Sequence, residues 1–111
     1  VINLGKYFGV TFNFEEYNYV KHMLTDHASA FNKRINIFLL LNIDMLEIYI
    51  SQIDRTLFDR VLIYDHEELG SWENLKQFSL ICNKYNLEWS ILKQDLHSDV
   101  PLELDYLLEI V

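Results

Sequence analysis

Short apolar runs separated by stretches of helical period leave this chain few ways to fold. Residues 7–12, 35–41, 61–64 and 87–92 are rich in aromatic and branched aliphatic side chains, the composition of strands. Between them, apolar residues recur every three or four positions, as on one face of a helix. Val20, Leu24, His27 and Phe31 share one such face, and Trp72, Leu75, Phe78, Cys82 and Tyr85 share another. Strand and helix therefore alternate. The pattern predicts an α/β fold: one small domain with a mostly parallel four-stranded sheet covered by helices.

Signals at the segment ends agree with that alternation. Asn13 with Glu16 three residues later reads as a capping box, and Phe12 is placed to staple onto Tyr17. Gly9 allows a bulge or close packing in the first strand. Ser71 reads as the N-cap of a helix that stops near Asn86. Asp99 and Pro101 open an expected terminal helix with Leu104, Leu107, Leu108 and Val111 facing inward. The run 35–41 is almost continuously apolar, the pattern of a central strand covered on both faces.

Residues 43–57 fit two periods. Ile43, Leu46, Ile50, Ile53 and Leu57 match a helical stripe, whereas Leu46, Ile48 and Ile50 alternate with Glu47, Tyr49 and Ser51 as in a strand. The helix is favoured, because Asn42 and Asp44 suit its N-terminus. The strand would give an α+β fold instead, with a mixed sheet and a hairpin around residues 35–50.

With 111 residues, no repeat and no Pro/Gly-rich linker, the chain reads as a single domain, residues 1–111. Half of it is hydrophobic, enough for a core without metal or disulfide staples. The lone cysteine, Cys82, can form no internal disulfide, so a reducing, cytoplasmic home is expected. No apolar run is long enough to span a bilayer, and no signal-peptide pattern is visible. The sequence starts at Val1 and not at methionine, which fits trimming of earlier residues.

Charge follows the same alternation. Asn13, Glu15 and Glu16 come after the first strand, and Asn42 and Asp44 after the second. Asp65, His66, Glu67 and Glu68 come after the third, and Asp95, His97 and Asp99 after the fourth. Lys33, Arg34, Arg55, Arg60 and Lys84 precede strands. A parallel sheet would gather the acids on its carboxyl edge, where ligands of open α/β sheets bind. Much of this segregation follows from capping and helix dipoles. The run from Asp65 to Glu68 exceeds that need, because it precedes the Ser71 cap and its carboxylates repel one another. Trp72 beside it supplies a hot-spot aromatic.

Catalytic signatures are missing: there is no phosphate loop, dinucleotide-binding glycine turn, nucleophile elbow or paired-cysteine motif. Cys82 and His27 lie on apolar stripes and read as core residues. Asp95, His97 and Asp99 with Asp65 one strand away could approach a divalent-metal site, a weak signal without a second histidine at helical spacing. Asp65 at a strand end, with Lys93 late in the sheet and Glu15 and Glu16 early, loosely resembles the layout of receiver domains. That likeness assigns no family.

The formal charge of −8 argues against direct nucleic-acid binding and against docking on an anionic membrane. It favours a basic protein partner, whose approach it would accelerate. The expectation is therefore a binding protein without catalytic residues, metal or cofactor. An immunity protein that blocks the basic site of a bacterial toxin nuclease fits best. Asp44, Asp65, His66, Glu67, Glu68, Trp72, Asp95, His97 and Asp99 are its candidate contacts. The alternatives are a small metal-dependent or phosphate-handling enzyme using Asp65, Glu67, Asp95 and Asp99, and a regulatory α/β domain of a larger protein.

Overall fold

The computed structural model describes residues 5–100, so the expected terminal helix lies outside the described residues. Ten elements follow one another: β1 (Lys6–Thr11), α1 (Tyr17–Ala30), β2 (Arg34–Leu39), α2 (Ile43–Gln52), a 3-10 turn (Arg55–Leu57), β3 (Phe58–Ile63), a second 3-10 turn (His66–Leu69), α3 (Trp72–Lys84), β4 (Glu88–Ile91) and β5 (Leu96–His97). The sheet order is β2-β1-β3-β4-β5, parallel except for the final β4–β5 pair. The expected mostly parallel α/β sheet is present. Its one antiparallel pair comes from a tight turn after β4, and not from residues 35–50.

Alternation along the strands sends side chains to two cores. Tyr7 and Leu62 meet Val20, Leu24 and Ala28 of α1 on one face. Phe8, Val10, Val61, Ile63, Trp89 and Ile91 meet α2 and α3 on the other, through Leu46, Ile50, Leu75, Phe78 and Cys82. Gly9 is needed for close packing and not for a bulge. A Cβ there would sit 3.0 Å from side-chain carbons of both Ile35 and Ile37, and the β1–β2 register runs unbroken.

Local signals decide most boundaries. Asn42 Oδ1 accepts the Met45 N–H at 3.1 Å, so residues 43–52 are helix, and Leu46 and Ile50 are buried as its stripe requires. Ser71 Oγ caps α3 through the Asn74 N–H at 3.1 Å. Asn32 and Asn86 follow α1 and α3 with φ of 57° and 59°, the left-handed stop that asparagine tolerates.

Four expectations need correction. Asn13 Oδ1 accepts the Glu16 N–H at 3.0 Å, but this closes a turn ahead of α1, which begins only at Tyr17. Phe31 is not a core residue: Ala28 takes the buried position and Phe31 is 59% exposed. Leu57 is likewise exposed, because α2 ends at Gln52. β2 is not central. It forms the sheet edge, with Arg34 and Asn36 exposed and the rest only half-buried. Its apolar run resembles that of a buried strand because both faces carry aliphatic side chains, yet only one neighbour pairs with it.

Candidate functional site

The strand order reverses between β1, whose crossover leads to β2, and β3, which continues to β4. Loops leaving the two strands diverge to opposite faces at such a point, opening a crevice where ligands of this architecture bind. A cleft of about 600 Å³ lies there. Phe12, Asn13, Phe14, Glu15 and Glu16 line it from the β1 side, with Tyr19 and Val20 of α1. Tyr64, Asp65, Glu67, Glu68 and Lys93 line it from the β3 and β4 side.

The carboxylates of this cleft divide by role. Asp65 caps the 3-10 turn that follows β3, accepting the Glu67 N–H at 3.0 Å. It also accepts Gln94 Nε2 at 3.0 Å and lies 3.3 Å from Lys93 Nζ. Glu68 completes the capping box and reaches across to β1, accepting the Thr11 hydroxyl and the Phe12 N–H at 3.1 Å. It clamps the two strand ends that form the crevice. By contrast, the carboxylates of Glu15, Glu16 and Glu67 enter no ion pair or hydrogen bond with any described residue.

Burial pushes the Glu68 carboxyl above its ordinary range, outweighing the bonds from Thr11, Phe12 and Asp65 that favour the anion. Burial also opposes ionisation of Asp65, but there the bonds from the Glu67 N–H, Gln94 and Lys93 win and hold it below the ordinary range. Neighbouring acids thus titrate in opposite senses. The folded chain binds the Glu68 proton more tightly than the unfolded chain, so this contribution to stability is full below the ordinary carboxylate pKa. It falls as pH rises from there through the raised value. The Asp65 contribution is present above the ordinary value and is lost as pH falls through the lowered one. Glu68→Gln is expected to abolish the decline on the alkaline side and keep the acid limb. Urea unfolding between about pH 2 and pH 7 reads both, and an unchanged decline in the variant would place its origin elsewhere.

Aromatic rings frame the free carboxylates. Tyr19 and Tyr64 meet edge to face at 5.7 Å, with hydroxyls 3.2 Å apart. That hydrogen bond, with burial and the charges of Asp65 and Glu16, holds the Tyr64 phenol above its usual range. Phe14 and Tyr19 are both more than half exposed. Chemically, the cleft offers unpaired negative charge beside ring faces, which suits a guanidinium or ammonium group.

The residues expected from sequence are dispersed. Asp65, Glu67 and Glu68 line the cleft, and His66 stands beside it with its N–H given to Gln94 Oε1 at 3.0 Å. Trp72 is half-buried against the core and Asp44 lies in the first turn of α2, 3.3 Å from Gln77 Nε2; neither lines the cleft. Asp95 occupies the β4–β5 turn, with φ of 54°. β5 then carries the chain back toward the amino edge. There Asp99 grips Arg60, a contact that depresses the Asp99 carboxyl. His97 bridges Asp95 at 2.6 Å and Ser90 at 2.7 Å. This Ser-His-Asp row offers no usable nucleophile, because Ser90 is 1% exposed and its hydroxyl accepts Arg60 at 2.9 Å.

Asp65, Glu67, Asp95 and Asp99 are therefore not convergent, and among the described residues no three potential ligands are grouped to hold a metal ion. Phe14, Tyr19 and Tyr64 were not among the expected contacts, and Glu15 and Glu16 were expected only as acids of the carboxyl edge, with Glu16 in a capping box. For Phe14, Glu15, Glu16 and Tyr64 the signal was a position soon after strands β1 and β3, whereas Tyr19 lies within α1. Comparison with protein-family models, with curated proteins and with solved structures found no match to this chain.

Proposed function

We propose that the protein binds and neutralises a basic protein partner through the cleft between β1 and β3, as an immunity protein directed at a bacterial toxin nuclease. The observation that carries this reading is a set of three carboxylates, Glu15, Glu16 and Glu67, unpaired among the described residues, beside exposed Phe14 and Tyr19 in one crevice. A nuclease holds phosphates with arginine and lysine, so its active site presents charge opposite to that of these carboxylates. Seating such a side chain between carboxylates and rings would exclude the nucleic acid. The net charge of −8 would steer the encounter. No helix among the described residues is long and apolar enough to cross a membrane, and in this reading the protein works in the cytoplasm.

The test is inhibition of the nuclease encoded beside this protein's gene. Titrating the protein against that enzyme is expected to stop cleavage of RNA or DNA at one equivalent. Cleavage that continues at saturating protein would refute the inhibitor reading.

A further inference from the structure

Among the described residues, one side of β2 is open. β1 occupies its inner side in unbroken register from Lys6 against Arg34 to Thr11 against Leu39. Among the described residues no strand pairs with its outer side. Sheet edges are ordinarily blunted by proline, a bulge, a charge in mid-strand or very short length. β2 has none of these: it runs for 6 residues as Arg-Ile-Asn-Ile-Phe-Leu. Phe38 meets Tyr49 of α2 at 5.5 Å, and Tyr49 and Ile48 remain exposed.

The distribution of charge selects the occupant. The chain is strongly acidic, yet no Asp or Glu occurs between Asp26 and Asp44, the stretch that contains β2. Lys33, just before the strand, is paired with Asp59. A second copy of this chain therefore meets less repulsion here than at the acidic carboxyl edge. We propose that β2 pairs antiparallel with β2 of a second copy, joining two sheets into one continuous sheet about a two-fold axis.

Side-chain parity fits such pairing. A two-fold axis normal to the sheet sets opposite each other only residues of the same face. Centred on Ile37, it places Ile35 opposite Leu39 and Asn36 opposite Phe38. Centred on Asn36, it places Ile35 opposite Ile37 and Arg34 opposite Phe38. Neither register opposes like charges, and both set aliphatic side chains opposite one another. No β2 residue lines the cleft, so this contact is separate from the proposed inhibitory surface.

Sedimentation equilibrium from micromolar to millimolar protein tests the pairing. The wild type is expected to approach twice the monomer mass, with amide exchange at residues 34–39 slowing as concentration rises. Asn36→Lys, at an exposed position, adds a mid-strand charge and is expected to remain monomeric with an unchanged circular dichroism spectrum. If that variant misfolds, Tyr49→Lys on α2 supplies the same test from beside the strand. A wild type that stays monomeric throughout would overturn the proposal. So would a dimer in which exchange at residues 34–39 does not depend on concentration.

Discussion

Phe8→Ala is expected to lower the free energy of unfolding by about 3–5 kcal/mol, a large share of the 5–15 kcal/mol typical of a domain. Phe8 is fully buried on β1, the strand between β2 and β3. Its ring stacks on Phe38 of β2 at 4.6 Å and meets Phe58 of β3 edge-on at 5.5 Å. One side chain thus ties together the three strands that define the switch point. Truncation leaves a cavity bounded by sheet on one side and by a helix layer on the other, so collapse is limited. Chemical denaturation measures the loss. A change below about 1 kcal/mol would mean that the strands are held mainly by the ladder and the outer core.

The second large effect concerns the crevice. Reversing Glu15, Glu16 and Glu67 to lysine together is expected to weaken binding of the cognate nuclease at least about 1,000-fold. Losing one partner of a buried interfacial charge pair costs about 2–5 kcal/mol, and each 1.4 kcal/mol is tenfold. Reversal adds repulsion against the partner's basic groups. Because these carboxylates enter no ion pair or hydrogen bond with any described residue, folding stability should change little. Reversing Asp44 and Asp95, which lie outside the cleft, should slow association modestly and leave the dissociation rate nearly unchanged. Surface plasmon resonance separates the two rates. Equal losses from both sets would show that net charge, and not the cleft, governs binding.

Much of the fold was legible because period and caps agreed. Asn42 and Ser71 start α2 and α3 where their side chains say they should, and the α3 stripe buries Leu75, Phe78 and Cys82 as spaced. Edge position was not legible. Whether β2 has one neighbour or two depends on where the chain crosses over, and residues 35–41 carry no mark of that choice. The hairpin to β5 escaped notice for a different reason. Leu96–His97 is a 2-residue strand, too short for any period, and the turn depends on Asp95 in a left-handed conformation.

The site was half legible. The acids do gather after the strands, but spacing cannot tell a carboxylate that holds the fold from one that is free. Asp65 and Glu68 form a capping box, Asp99 is consumed by Arg60, and His97 by Ser90 and Asp95. Glu15, Glu16 and Glu67 have no such partner among the described residues, a difference that only the tertiary fold creates. Their aromatic neighbours were equally hidden. Tyr19 and Tyr64 are 45 positions apart and meet because α1 packs back over β3.

The claim that the cleft receives a basic group can be tested without the partner. A ¹⁵N-labelled sample titrated with a short arginine peptide is followed by chemical-shift perturbation. Shifts are expected to concentrate on residues 12–19, 64–68 and 93, and to vanish when Glu15, Glu16 and Glu67 are replaced by glutamine. Shifts spread evenly over the acidic surface, or centred on residues 95–99, would contradict it.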